Sequence, residues 1–272
     1  MLRGLGGARH FLETRLNHVM LSQLKSRIEQ AKAEIESLRP LSTAALAQLQ
    51  KHYDVELTYT SNAIEGNMLT LRETAEVIEH GLTVGGKPLH DHLEAVDHYQ
   101  ALLWMREIAA KTTTLGEDVV RELHRRIVAR SQSEIAGHYS RFPRSIAGSP
   151  VIFPNPAKIP ELMNSLGAWL AAAPLDAETA FAAHYRLTAI HPFGDGNGRT
   201  ARLLMNLLLI RGGYPPVAVR PVDRKSYLDA LERGSLTQDW ESLQLFMHER
   251  LEATLADYLG AIREALPAPQ RE

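Results

Sequence analysis

Cysteine is absent from all 272 residues of the chain. Its absence excludes disulfides, thiol nucleophiles and cysteine-based zinc sites, and it fits a reducing compartment. The N-terminal segment has no continuous apolar run of the secretory type, and no segment approaches the roughly 18 consecutive apolar residues of a membrane span. We therefore expect a cytoplasmic protein with no membrane partner.

An excess of charge of one sign is also absent. The chain has 30 lysine and arginine residues against 32 aspartate and glutamate residues, which gives a formal net charge of −2. A nearly neutral chain offers no electrostatic argument for binding nucleic acid, so we expect no nucleic-acid partner. Hydrophobic residues make up 44% of the chain, which is enough for a sizeable core.

Most of the sequence has the apolar spacing of amphipathic helices. Residues 20–40 place one apolar stripe on a helix, formed by Leu21, Leu24, Ile28, Ala31, Ile35 and Leu38. Residues 42–66 continue the helical pattern, and Thr70 with Glu73 forms a capping box before a helix that ends at Gly81. These patterns predict an all-α fold in a single compact helical domain.

One segment interrupts the helical pattern. Residues 133–160 are rich in glycine and proline and contain short β-leaning pieces. "RSIAG" (144–148) and "SPVIF" (149–153) could be the two arms of a small hairpin with its turn near Gly148. We therefore expect a small β-hairpin inserted in the helical domain.

The stretch "HPFGDGNGRTAR", residues 191–202, concentrates the groups that could bind an anion. Its three glycines let the backbone turn sharply just before a helix, whose N-terminus favours an anion. Arg199 and Arg202 are three residues apart and can share a helix face. Arginine suits phosphate because its guanidinium donates two parallel hydrogen bonds.

Two further side chains of this stretch suggest chemistry. Asp195 would repel a bare phosphate, but it could hold Mg²⁺, which binds one or two carboxylates together with phosphate oxygens. His191 could take a proton from a hydroxyl, because the ordinary pKa of histidine is about 6.5. Together these groups describe phosphoryl or nucleotidyl transfer. Taken alone, however, a Gly-Asp-Gly-Asn-Gly run is usually only a turn, and no Gly-Lys-Ser/Thr follows it as in a Walker loop.

The whole string His-Pro-Phe-x-Asp-Gly-Asn-Gly-Arg-x-x-Arg resembles the signature of the Fic family at every defining position. The resemblance implies a helical fold whose typical members transfer AMP from ATP to a protein hydroxyl. It implies that His191 is the general base, that Asp195 binds Mg²⁺ and that Phe193 anchors the loop. It further implies a phosphate cradle of Gly196, Asn197 and Gly198, with Arg199 and Arg202 on the outer phosphates.

The resemblance also implies an organisation of the chain. Residues 1–111 would form an N-terminal helical region, residues 112–250 the catalytic core, and residues 251–272 a C-terminal helix and tail. The hairpin would be the family's flap, which lays the target segment beside the site by main-chain pairing. Tyr227 matches in kind a residue of the stretch that closes over the nucleobase.

A second resemblance lies upstream, in "SNAIEGN", residues 61–67. It fits the family's inhibitory motif, Ser/Thr-x-x-x-Glu-Gly/Asn, at Ser61, Glu65 and Gly66. The resemblance implies that Glu65 pairs with Arg202, which removes a phosphate clamp and repels the outermost phosphate. Without the downstream signature, the same stretch would be interpreted as a helix C-terminus with glycine as its stop.

The leading hypothesis is therefore a Mg²⁺-dependent adenylyltransferase that uses ATP, modifies an unknown target protein and is held inactive by Glu65. One alternative is removal of AMP from a modified protein in the same site, and another is a non-catalytic protein that senses nucleotide. The family often forms dimers, so a homodimer is possible. We interpret the cluster of His90, His92 and His98 as structural rather than metal-binding, and we expect His184 to pack behind His191.

Overall fold

The computed structural model describes residues 4–39 and 43–265. Within these residues the chain forms helices throughout and no strand, so the predicted all-α fold is confirmed. Three short 3₁₀ helices cover Ser133–Ile135, Pro156–Lys158 and Pro221–Asp223. The α-helices of the described residues are α1 (Gly4–Ser37), α2 (Thr43–Ile64), α3 (Leu71–His80), α4 (Leu89–Ala109), α5 (Glu117–Ile127), α6 (Ile159–Ala172), α7 (Ala177–Ile190), α8 (Asn197–Arg211), α9 (Arg224–Thr237) and α10 (Glu241–Ala265).

Helix α8 lies at the centre of the fold because apolar residues fill most of its surface, while its buried polar residues Arg199, Arg202 and Asn206 have hydrogen-bond partners. All its residues from Thr200 to Leu209 are buried, and α2, α4, α5 and α7 pack around it. Burying a leucine side chain contributes about 1.5–3 kcal/mol, so this central helix is held firmly. Helix α1 packs along α10, and both contribute to the same hydrophobic core.

The helix ends follow the predicted capping chemistry. The capping box is present, with Glu73 N–H donating to Thr70 Oγ1 at 3.2 Å and Thr70 N–H donating to Glu73 Oε2 at 2.7 Å. Gly81 ends α3 in the left-handed conformation, at φ 66°. Asp176 caps α7 by accepting from Thr179 N–H at 2.7 Å. These caps supply partners for backbone groups that a helix cannot pair internally.

The predicted β-hairpin is wrong. Residues 144–153 form an extended segment with a turn, in which Ser149 N–H donates to Ile146 O at 3.1 Å, and no strand pairing joins its arms. Ile152 is 93% exposed, so the segment has no sheet or core behind it. An isolated two-stranded ribbon is only marginally stable in water, which accounts for the difference. We call residues 144–153 the flap segment.

On the histidine-rich helix α4, His92 and Asp97 have structural partners. His92 accepts from Val84 N–H at 2.9 Å and lies 2.8 Å from Pro88 O. Asp97 is fully buried and accepts from the backbone N–H groups of Arg130 and Ser131 at 2.8 and 2.9 Å. In the described ranges, no three histidine or acidic side chains are grouped as a metal site would need.

The C-terminal helix and the apolar character of the helices can be compared with the sequence. Of the predicted C-terminal helix and tail, α10 reaches Ala265, and residues 266–272 lie outside the described residues. No helix in the described part of the chain is both long enough and apolar enough to cross a membrane.

Three buried histidines predict sensitivity to acid. Burial lowers the pKa of His98 and His184 to about 3 and that of His124 to about 4. Below about pH 6.5 these histidines are protonated in the unfolded chain but stay neutral in the folded protein. Each histidine should therefore lower the free energy of unfolding by at most about 1.4 kcal/mol for each pH unit that the pH falls. We expect the free energy of unfolding in urea to fall clearly between pH 7 and about pH 5.5. An unchanged free energy across that window would contradict the burial of these side chains.

Candidate active site

The motif loop, residues 191–196, joins α7 to α8 by a sharp turn. His191 ends α7 in the left-handed conformation at φ 51°, and Gly196 begins α8 at φ 72°. A side chain at Gly196 would meet Val128 Cγ1 at 3.3 Å and His124 Cδ2 at 3.5 Å. The position therefore suits glycine both in conformation and in space.

Phe193 anchors the motif loop in the core. Its ring is fully buried and stacks on His124 with centroids 3.7 Å apart and planes 2° apart. His124 in turn bonds the backbone, since its Nε2 lies 3.1 Å from Asp195 O and its Nδ1 accepts from Gly137 N–H at 3.0 Å. The imidazole of His124 thus supports the motif loop through Phe193 and the Asp195 backbone, a role that the sequence analysis did not predict.

The cradle at the start of α8 is formed by backbone. The side chain of Asn197 is turned into the loop, where Oδ1 accepts from Phe193 N–H at 2.9 Å and Nδ2 donates to Phe193 O at 3.0 Å. The first N–H groups of a helix have no acceptor inside the helix, so those at the start of α8 can bind an anion. Asn197 can contribute to such a cradle through its backbone N–H.

Asp195 is the exposed acid of the loop. Its side chain is 52% exposed, its Oδ1 accepts from Gly196 N–H at 2.6 Å, and its Oδ2 accepts from Gln132 Nε2 at 2.5 Å. Burial raises the pKa of Asp195, but the Gln132 hydrogen bond and the Arg199 charge outweigh burial and leave the pKa below its usual value. A half-exposed, ionised carboxylate fits a Mg²⁺ ligand, and Gln132 is a second residue that sequence reasoning missed.

His191 lies under the flap segment. Phe153 stacks on its ring with centroids 4.1 Å apart, and Arg144 donates to Gly194 O of the motif loop. Burial lowers the pKa of His191 to about 4, against the opposing effect of a hydrogen bond to the backbone of Thr188. At neutral pH the imidazole is therefore uncharged and able to accept a proton.

Arg202 is held by the end of α2. Its guanidinium is buried, with Nε donating to Ser61 Oγ at 2.9 Å and Nη2 donating to Ser61 O at 2.8 Å. Nη2 also donates to Glu65 Oε1 at 2.7 Å. Gly66 follows at φ 100° and turns the chain away from the site. The structure thus brings together Ser61, Glu65 and Arg202, which are far apart in the sequence.

Arg199 has a different environment. It is 1% exposed, and its Nη1 donates to Glu94 Oε1 on α4 at 2.5 Å. Its Nη2 lies 3.6 Å from Asp195 Oδ2. Arg199 is therefore enclosed between two carboxylates, and its contact with an outer phosphate stays a prediction. Glu94 is the third residue that sequence reasoning missed.

Tyr227 lies behind Arg202 in the core. It is 1% exposed, and its hydroxyl lies 2.9 Å from Nε2 of the fully buried His184 and 3.4 Å from Nη1 of Arg202. His184 is thus a core histidine behind the site, connected to Arg202 through Tyr227. A contact between Tyr227 and a nucleobase stays a prediction.

Comparison with known proteins agrees with this geometry. Residues 114–209 match the family model described as Fic/DOC family. These residues include the motif loop and the whole first turn of α8. Residues 114–209 therefore form a domain of the Fic/DOC family type.

The chain is similar to curated proteins named protein adenylyltransferase Fic. It is 32% identical to the one from Nematostella vectensis over 88% of this chain and 56% of that protein, and 32% identical to the one from Aedes aegypti over 88% of this chain and 48% of that protein. The chain therefore spans about half the length of the curated relatives it matches.

Solved structures share the fold. A fragment of Fic-1 from C. elegans superposes with a TM-score of 0.82 at 27% identity, covering 96% of this chain and 77% of that one. A Fic domain containing signaling protein from Bacteroides thetaiotaomicron superposes with a TM-score of 0.81 at 29% identity, covering 90% of this chain and 99% of that one.

Gly198 tests whether Glu65 lies over the start of α8. A Cβ at Gly198 would collide with Glu65 Oε1 and approach Arg202 Nη1 at 3.0 Å. We expect Gly198→Ala to displace the Glu65 carboxylate from Arg202 and to lower the free energy of unfolding by about 1–2 kcal/mol, the scale of one charge-assisted hydrogen bond less the helix propensity gained by alanine. In a Glu65→Gly protein the same change should cost at least about 1 kcal/mol less, because the closest atom has gone. Urea unfolding of the four proteins measures this coupling, and additive effects would contradict the geometry.

Proposed function

We propose that this protein transfers AMP from ATP to a hydroxyl side chain of a target protein and that Glu65 inhibits the reaction. The observation that carries the proposal is the ion pair between Glu65 and Arg202, 2.7 Å long, beside the backbone cradle at the start of α8. The resemblance of the motif loop and the names of the curated relatives support the transfer of AMP.

In the proposed reaction, His191 takes the proton of the target hydroxyl while the hydroxyl oxygen attacks the α-phosphorus of ATP. The bond from the α-phosphorus to the bridging oxygen breaks, and pyrophosphate leaves. The imidazole of His191 is neutral at physiological pH, as a proton acceptor must be; burial, which lowers its pKa to about 4, makes it a weaker base, and the charges of Glu65 and Asp195 act in the opposite direction. The N–H groups at the start of α8 stabilise the charge on the phosphates.

Asp195 is the residue that would hold Mg²⁺. Bound there, Mg²⁺ would neutralise charge on the phosphates as pyrophosphate departs. The fit rests on the half-exposed carboxylate of Asp195, whose pKa lies below its usual value. Gln132 orients that carboxylate through its hydrogen bond of 2.5 Å.

Inhibition follows from competition for one guanidinium. Arg202 cannot grip an outer phosphate while Glu65 occupies the Nη2 edge. Two like charges about 4 Å apart repel by about 4 kcal/mol at the effective dielectric constant near a protein surface. A triphosphate that enters beside Glu65 would therefore be displaced from the position that exposes its α-phosphorus to attack.

A second candidate is removal of AMP from a modified protein. Glu65 remains 37% exposed, and its charge raises the pKa of His191, so its carboxylate acts electrostatically on the imidazole. A carboxylate placed in this way could orient a water molecule for attack on an AMP ester. A non-catalytic protein that senses nucleotide is the third hypothesis.

Binding of the target is proposed at the flap segment. Phe153 already stacks on His191, so a peptide that pairs with the flap segment would pass close to the imidazole. A groove of about 460 Å³ lies alongside, lined by Val151, Tyr185 and Trp240 among others. The identity of the target, the homodimer and the division at residues 111 and 250 remain predictions.

The inhibition is tested by Glu65→Gly. We expect incorporation of labelled AMP from ATP, with lysate as the source of targets, to rise at least about tenfold, because releasing Arg202 restores roughly 1.4 kcal/mol or more of phosphate binding. Glu56→Gly is the control, since Glu56 lies on α2, the helix that leads to Glu65, and accepts from Arg220 Nε at 3.1 Å instead of contacting the site. Adding His191→Ala to Glu65→Gly should abolish the gain.

Other results would favour the other hypotheses. If Glu65→Gly shows no gain of labelling but loses the ability to release AMP from a modified protein, the site is a hydrolase. If His191→Ala changes neither reaction, the non-catalytic hypothesis is correct. An equal gain from Glu56→Gly would mean that weakening α2, rather than freeing Arg202, increases the labelling.

A further inference from the structure

Glu94 serves two different parts of the site with its two carboxylate oxygens. Its side chain on α4 is only 9% exposed. Oε1 accepts from Nη1 of Arg199 at 2.5 Å, and Oε2 accepts from Nδ2 of Asn67 at 3.0 Å. Arg199 lies in the first turn of α8, whereas Asn67 lies where the chain leaves α2. A single side chain therefore bridges the phosphate cradle and the segment that carries Glu65.

The contact with Asn67 fixes the exit from α2. Asn67 N–H donates to Asn62 O at 3.1 Å, which closes the end of the helix, and Nδ2 also donates to Asp91 O at 3.0 Å. Met68 N–H then donates to Asp91 Oδ2 at 2.7 Å. Helix α4 thus holds two consecutive residues that follow Gly66, and Glu65 is only two positions before Asn67.

The contact with Arg199 balances a buried charge. An unpaired guanidinium at 1% exposure would be costly, so Arg199 needs a carboxylate partner. Glu94 supplies that partner at 2.5 Å, and Asp195 is more distant at 3.6 Å. If Glu94 lost its charge, Arg199 would pair with Asp195 instead, which is the carboxylate that the proposed mechanism assigns to Mg²⁺.

We propose that Glu94 is a positioning residue that couples the phosphate cradle to the segment leaving α2. It touches no reacting atom. It acts through Arg199 on Asp195, and through Asn67 on Glu65. Its consequence for catalysis and inhibition rests on the proposed function, whereas the mechanical coupling of the two segments does not.

Amide hydrogen exchange tests the coupling on the protein alone, without ATP or target. We expect Glu94→Gln to speed exchange about tenfold at the amides of residues 65–67 and at that of Thr200, because local opening then costs less. Asp54→Asn is the matched control, since it neutralises another buried carboxylate that pairs an arginine of α4, Arg106, at 2.7 Å. The control should leave both sets of amides within about threefold of their original rates.

A second variant separates the two contacts. Asn67→Ala should speed exchange at residues 65–67 and, to a smaller extent, at Thr200, because Glu94 then lacks one of the two partners that fix its carboxylate. If Glu94→Gln does not fold, Glu94→Gln combined with Arg199→Gln removes both buried charges and should restore folding with fast exchange at residues 65–67.

Three results would overturn the coupling. These are unchanged exchange in both segments of the folded Glu94 variant, equal acceleration in Asp54→Asn, and unchanged exchange at residues 65–67 in Asn67→Ala. The exchange experiment contains no nucleotide, so it tests the coupling even if the protein does not transfer AMP. If the coupling is absent, the proposal of AMP transfer is not affected.

Discussion

The guanidinium of Arg202 is buried and needs a negatively charged partner, and the arrangement of the site depends on that need. Arg202 is only 4% exposed, and its donors are met by Ser61, by Glu65 and by the hydroxyl of Tyr227. A buried charge of this kind is stable only when it is paired and hydrogen-bonded. A phosphate would satisfy the same requirement as Glu65 does. Under the proposed function, the carboxylate and a triphosphate would therefore be alternative partners of one group, and inhibition would need no change in the rest of the fold.

The two arginines of the motif loop's helix differ in how easily their partners can be exchanged. Arg202 pairs with a carboxylate that is 37% exposed and lies at the end of a helix. Arg199 pairs with Glu94, which is 9% exposed and lies within α4. Breaking the second pair would leave two charges buried, whereas breaking the first leaves one carboxylate free to reach water. This difference makes Arg202 the better suited of the two to change partners.

Sequence patterns predicted the helices and the capping box, because periodicity and caps are local signals. The pairing of Glu65 with Arg202 joins residues far apart in the chain, and it was predicted only through the resemblance of the two motifs to those of the family. Sequence patterns did not predict the extended flap segment, whose form depends on the absence of a supporting sheet. They also missed His124, Gln132 and Glu94, whose partners are remote in the chain. One signal for Glu94 was present: Asp91, Glu94 and His98 follow helical spacing, which places three polar side chains on one buried face.

The motif loop and the Glu65 side chain differ in how firmly they are held. The motif loop is fixed by the buried ring of Phe193 and by the two bonds from Asn197 to the Phe193 backbone. Glu65, in contrast, is held in the site by one ion pair to Arg202. Charge-assisted hydrogen bonds contribute about 1.5–3 kcal/mol each, so displacing Glu65 costs far less than reshaping the loop. A ligand or partner with a differential affinity of a few kcal/mol would supply that amount, so the proposed inhibition would be relieved most easily at the end of α2.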